Sequence, residues 1–88
     1  MTIHLIFYGK VQGVGFRKFV KKKAEEFCIT GYVKNLRDGT VEVIAQGEEE
    51  ILKRFLEEIK DGPERAIVEK FQQKNIEKGD YHEFKIKY

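Results

Sequence analysis

The chain has 88 residues, one cysteine, and 17 basic against 15 acidic side chains for a net charge of +2, which suits one small domain in a reducing, cytoplasmic setting and excludes an intrachain disulfide. No run approaches the ~20 apolar residues that cross a bilayer, and Met1–Lys10 lacks the charged start and apolar centre of a signal peptide, so no membrane association is expected. Basic and acidic residues are interspersed, so net charge alone gives no ground for nucleic-acid binding, whereas a small anion needs only one local positive site.

Ile3–Tyr8 is apolar and partly alternating, as in a largely buried strand that the glycines at 9, 13 and 15 interrupt. Phe16, Phe19, Val20, Ala24, Phe27 and Cys28 then recur at helical spacing, predicting an amphipathic helix from about Gly15 to Cys28 with Gly31 soon after it as a stop signal. Tyr32–Asn35 returns to extended character, Arg37-Asp38-Gly39 supplies a tight turn, and Val41, Val43 and Ala45 alternate with Glu42, Ile44 and Gln46, which completes a hairpin. Glu48–Glu50 places carboxylates where a helix N-terminus favours them. The stripe Ile51, Leu52, Phe55, Leu56 and Ile59 predicts the second helix, closed by Gly62-Pro63. Ala66 to about Lys74 is a further strand, and Tyr81–Tyr88 a last one with Phe84, Ile86 and Tyr88 on one face. The order β-α-β-β-α-β with a short final strand predicts an α+β, ferredoxin-like split β-α-β sandwich: an antiparallel sheet with both helices on one face, forming one domain over residues 1–88.

Most chemistry-bearing side chains have an ordinary structural explanation. His4 and His82 have no second ligand at helical spacing, so no metal site is expected. Cys28 falls on the apolar stripe of the first helix, as a small buried hydrophobe would, and the chain has no serine to act as a nucleophile. Lys21–Lys23 and Glu48–Glu50 fit solvated helix surface, and the phenylalanines sit at core spacing.

The segment Gly9–Arg17, GKVQGVGFR, is different. Glycines between a strand and a helix let successive N–H groups turn inward, next to the positive end of the helix dipole. Its spacing matches neither a Walker loop nor a dinucleotide fingerprint. Two readings fit the glycines alone: a tight turn, or an anion cradle. Arg17 adds a cation in the first helical turn, where the dipole disfavours one, and a bidentate hold on a tetrahedral phosphate would explain it. A surface arginine without a partner is the alternative.

Gly9–Arg17 together with Gly31–Val43, GYVKNLRDGTVEV, closely resembles the acylphosphatase family, and the similarity continues through Gly62–Lys70 and Phe84–Tyr88. Lys10 and Thr40 stand where Arg and Ser are also common in that family. The resemblance implies hydrolysis of the carboxyl-phosphate anhydride of acyl phosphates by in-line attack of water, without metal or cofactor. It implies that the phosphoryl group is held by the amides of Lys10, Val11, Gln12, Gly13, Val14, Gly15 and Phe16 and by the Arg17 side chain, and that Asn35 positions the water. Inorganic phosphate would be product and competitive inhibitor of a monomeric enzyme. From sequence alone Asn35 fits an ordinary turn residue equally well.

Two rival readings keep the fold. One is a non-catalytic anion- or RNA-binding ferredoxin-like module; RNA-binding domains of this element order place aromatics on the central strands, but Thr40–Gly47 has none and Phe7 and Tyr8 are the nearest candidates. The other is a carbamoyl-phosphate-handling module of the kind found at the start of hydrogenase-maturation proteins. Because the chain ends just after its last strand, a free-standing enzyme is the expectation.

Overall fold

The computed structural model describes residues 1–88. Its elements are β1 (Thr2–Lys10), α1 (Phe16–Glu26), β2 (Thr30–Asn35), β3 (Val41–Gln46), α2 (Glu49–Ile59), β4 (Ile67–Ile76) and β5 (Phe84–Lys87). In β1 the period-2 pattern sends Ile3, Leu5 and Phe7 into the core and His4, Ile6 and Tyr8 to the other face. The strand runs on through Gly9 and Lys10, past the glycine expected to end it, because β4 pairs along it to Lys10↔Ile67. A bulge leaves Glu69 of β4 unopposed between Tyr8↔Lys70 and Gly9↔Val68.

The helices bury Phe16, Val20 and Ala24 from α1 and Leu52, Phe55 and Ile59 from α2. These six share one apolar cluster with Ile3, Leu5, Phe7, Val33, Val41, Val43, Ala45 and Phe84, so both helices cover the same face of the sheet. A Lys23–Glu58 ion pair of 3.0 Å bridges α1 and α2, and the Glu58 carboxylate raises the lysine's pKa.

Cys28 departs from expectation. α1 ends at Glu26, and Cys28 lies beyond it, exposed, with φ 55°. Its N–H donates to Glu25 O and the Ile29 N–H donates to Ala24 O, at 3.2 and 2.9 Å, the paired bonds of a Schellman closure with cysteine at the left-handed position. Ile29, not Cys28, turns back into the core.

The strand order is β4-β1-β3-β2-β5, and β2 and β5 pair in parallel, so the sheet is mixed where an antiparallel one was expected. β1 and β2 are each antiparallel to β3, which lies between them, and are therefore parallel to one another. The carboxyl ends of β1, β2 and β5 consequently meet at one end of the sheet, where α1 also begins.

On the face away from the helices, Glu42 accepts from the Tyr32 hydroxyl at 3.0 Å, and its other oxygen hydrogen-bonds His4 Nε2 at 2.9 Å. Burial, and then the Glu42 contact, push the Tyr32 phenol up to about 12. His82 pairs with Asp80 at 2.9 Å in solvent, and no three His, Cys, Asp or Glu side chains gather as metal ligands. No helix is long and apolar enough to cross a membrane.

Candidate active site

The segment after β1 leaves its amides unspent. None of the backbone N–H groups from Gln12 to Lys18 donates to a backbone carbonyl; the first bond into α1 runs from the Phe19 N–H to Gly15 O at 3.1 Å. Backbone amides in a folded chain are normally paired, and seven in a row here lack a backbone acceptor. Gly13 and Gly15 have φ 72° and 79°, the left-handed region, and nothing lies within 4 Å of where a Cβ would stand on either. The backbone therefore curls and remains approachable.

Electrostatics sets this helix start apart from the other one in the chain. α2 opens on Glu48, Glu49 and Glu50, which complement its dipole. α1 has a Gly15 N-cap without a side-chain hydrogen bond, no acid in its first turn, and Arg17 and Lys18 there instead. Positive dipole end, free N–H groups and two cations all call for an anion at the same place.

A cleft of about 200 Å³ lies there, lined by Val11, Gly13, Gly15, Phe16, Arg17, Lys18, Asn35, Ile86 and Tyr88. It draws on the carboxyl ends of all three parallel strands. Larger depressions of about 280 and 470 Å³ indent the opposite sheet face, but neither adjoins a helix start with free amides. Arg17 Nη1 donates to Lys87 O at 3.4 Å, and its guanidinium carbon sits 4.7 Å from the centre of the Tyr88 ring. Asn35, the last residue of β2, has a buried Oδ1 without a partner, the one such side-chain atom in the molecule. An orphaned acceptor beside an anion cleft is suited to receive a hydrogen bond from a bound water.

Of the residues singled out in the sequence, Val11, Gly13, Gly15, Phe16, Arg17 and Asn35 line this cleft, whereas Lys10, Gln12 and Val14 do not. Lys10 is the end of β1, paired with Ile67. The Gln12 side chain turns to the β2–β3 connection, donating from Nε2 to Leu36 O at 2.7 Å and Thr40 O at 2.9 Å, which leaves only its backbone N–H to face an anion. Lys18, Ile86 and Tyr88 were not assigned to the site from sequence. Lys18 could have been found as the second cation of the first helical turn, next to Arg17, whereas no local signal marks Ile86 and Tyr88, which join the cleft only because β5 pairs parallel to β2.

The turn beside Asn35 is closed by the bond from the Leu36 N–H to Thr40 O and by Asp38, whose Oδ1 accepts from the Thr40 hydroxyl at 2.6 Å and the Thr40 N–H at 3.0 Å. The hydroxyl first, and then the amide, hold the Asp38 carboxyl below its usual pKa. Asp38 is thereby committed to the turn. For an RNA-binding surface, Phe7 is unavailable because it is fully buried. On the open face the Tyr8 and Tyr32 rings are each approached by a lysine ammonium, of Lys70 and Lys87, at 4.7 and 4.0 Å.

Fold and cleft together define a small split β-α-β sandwich with a basic, amide-lined cleft where β1 gives way to α1. The chain belongs to the acylphosphatase family, whose model matches residues 3–86. An acylphosphatase of Caldanaerobacter subterraneus subsp. tengcongensis is 46% identical over 86 residues, which are 97% of this chain and 96% of the relative. One of Archaeoglobus fulgidus is 43% identical over 88 residues, covering 100% and 99% of the two chains. Among solved structures, acylphosphatase from Bacillus subtilis superposes with a TM-score of 0.94 at 38% identity, covering 99% of this chain and 98% of that one. Full-length HypF in its phosphate- and nucleotide-bound form gives 0.92 at 33% identity, over 99% of this chain and 12% of the longer one.

Proposed function

We propose that the protein is an acylphosphatase that hydrolyses the carboxyl-phosphate anhydride by direct attack of water, with residues 1–88 acting as one catalytic unit. The observation that carries this reading is the run of free amides from Gln12 to Lys18 at the start of a helix whose first turn is basic. In it, the amides of Gln12, Gly13, Val14, Gly15 and Phe16 and the fork of Arg17 hold the phosphoryl oxygens and stabilise the charge that builds on them. Lys10, the last residue of β1, and Val11, which follows it into the cleft lining, set where this cradle begins.

Asn35 orients the water. A neutral amide cannot remove its proton, so Oδ1 accepts a hydrogen bond and fixes the line of attack on phosphorus. The new P–O bond forms as the bond to the acyl oxygen breaks, and a phosphoryl oxygen takes the proton. The leaving carboxylate belongs to an acid of pKa about 4, to judge from side-chain carboxyls, and departs without a proton donor. The cleft lining holds no histidine or carboxyl group poised near neutrality to act as a general acid, which is compatible with acyl phosphates and unfavourable for alkyl phosphate esters. Positioning and charge stabilisation supply the acceleration.

The reading carries with it a monomer acting in the cytoplasm, where the exposed Cys28 stays reduced. A carbamoyl-phosphate-handling module would use the same cradle; the matches to two acylphosphatases at 46% and 43% identity support the acylphosphatase reading. The test is phosphate release from benzoyl phosphate and from an alkyl phosphate, each with a chelator present. Turnover of the first, unaffected by chelator, with little of the second, is expected. Equal rates on both, or loss of activity in chelator, would contradict the mechanism.

A further inference from the structure

We propose that the side chain of Gln12 is a positioning latch that holds the water-orienting Asn35 in register with the phosphate loop. The inference rests on the reading of Asn35 given above and assigns Gln12 a duty separate from anion binding. Its one amide nitrogen spends both N–H donors on the β2–β3 connection, on Leu36 O at 2.7 Å and Thr40 O at 2.9 Å. Leu36 directly follows Asn35, and Thr40 closes the turn opposite it.

The turn does not need these bonds for its own sake. Leu36 O already accepts from the Gly39 N–H at 3.2 Å, and Thr40 O from the Leu36 N–H at 2.9 Å. Removing the Gln12 donors would leave neither carbonyl without a partner, so the usual penalty for an orphaned buried acceptor does not arise. What the bonds do is cross a gap that the sheet leaves open. β3 separates β1 from β2, and the β1–β3 ladder stops at Phe7↔Val41, short of the loop. The two Gln12 bonds are the only hydrogen bonds joining residues 11–18 to residues 35–40.

In-line displacement makes that join matter. The loop fixes phosphorus and Asn35 fixes the oxygen that attacks it, so their relative placement sets the attack distance and angle. A displacement of about 1 Å at a reacting pair costs on the order of 10²-fold in rate. Gln12 thus acts through Asn35 and should affect turnover far more than affinity for phosphate.

The experiment is a double-mutant cycle in benzoyl phosphate hydrolysis, pairing Gln12→Met with Asn35→Ala. Methionine keeps the length of the side chain and removes its donors. In the wild-type background Gln12→Met is expected to lower kcat about 10- to 100-fold. The inhibition constant of inorganic phosphate should change by less than about threefold and the unfolding midpoint by only a few degrees. In the Asn35→Ala background the same change should cost less than about threefold, because the group being positioned is gone. An equal loss in both backgrounds, or phosphate inhibition weakening in step with kcat, overturns the latch. So does unchanged kcat in Gln12→Met beside a disabled Asn35→Ala. If Asn35→Ala itself keeps full kcat, the reading of Asn35 fails and the latch falls with it. Should Gln12→Met fold poorly, the cycle is run with Gln12→Leu, which also loses both donors and adds no charge beside the loop.

Discussion

Replacing Arg17 with lysine keeps a positive charge at the mouth of the cleft and removes the fork. In the structure the guanidinium lies beside Tyr88 and bonds Lys87 O, contacts that aim it along the cleft wall. A phosphoryl group can take two N–H donors from that plane at once, whereas an ammonium offers a point charge on a shorter, unguided stem. A hydrogen bond to a charged group is worth about 1.5–3 kcal/mol, and a preorganised donor at developing charge about 3–4 kcal/mol. With one donor of the pair lost and the charge retained, about 3 kcal/mol of transition-state stabilisation disappears, or on the order of 10²-fold in kcat/KM at about 1.4 kcal/mol per decade. The assay is the ultraviolet change on benzoyl phosphate hydrolysis, with chelator throughout and with circular dichroism showing an intact fold. Arg17 is only partly buried, so misfolding should not obscure the result. Turnover by Arg17→Lys within threefold of wild type would refute both the bidentate role and the assignment built on it.

Asn35→Ala should reduce kcat by a larger factor than it weakens inhibition by inorganic phosphate; if phosphate inhibition vanished instead, Asn35 would be an anion ligand. Cys28→Gly should stabilise the fold. A non-glycine residue at φ 55° carries about 1–2 kcal/mol of strain, and the freedom glycine adds to the unfolded chain offsets about 0.5–1 kcal/mol of that gain. A net gain of about 0.5–1 kcal/mol raises the midpoint by a few degrees, and a lower midpoint in calorimetry would refute the Schellman account. Tyr32 provides a pH test. Its folded pKa is raised from 10.0 to about 12, so the stability it contributes is complete below pH 10 and is lost as pH rises through about 12. Urea midpoints across that range should fall more steeply for wild type than for Tyr32→Phe, and parallel curves would show that burial and the Glu42 contact do not raise the phenol as argued.

Element order and the position of the uncapped, basic helix start were legible in the sequence because both arise from local rules. Period-2 and period-3.6 apolar spacing mark β1, α1, β3 and α2 whatever their neighbours do, and glycines followed by a basic first turn mark an uncapped helix start wherever it packs. Cys28 shows the limit of that method. Helical spacing put it on the buried stripe, yet the backbone reverses there because the Ile29 N–H reaches Ala24 O and sends Ile29 into the core.

The sequence by itself determined the candidates: a glycine loop leading into a helix with Arg17 in its first turn, and Asn35 before a turn, whose roles on an anion and a water the family resemblance implies. Only the tertiary structure decided that these face one cleft. Arg17 and Asn35 stand 18 positions apart on elements without a shared ladder, and they meet because β3 inserts between β1 and β2 and makes their carboxyl ends coincide. Parallel pairing of β5 with β2 then adds Ile86 and Tyr88, and the Gln12 bonds close the remaining gap. Such placements depend on strand order and register, which are set by how apolar faces pack across the whole sheet and leave no local mark on the residues they bring together.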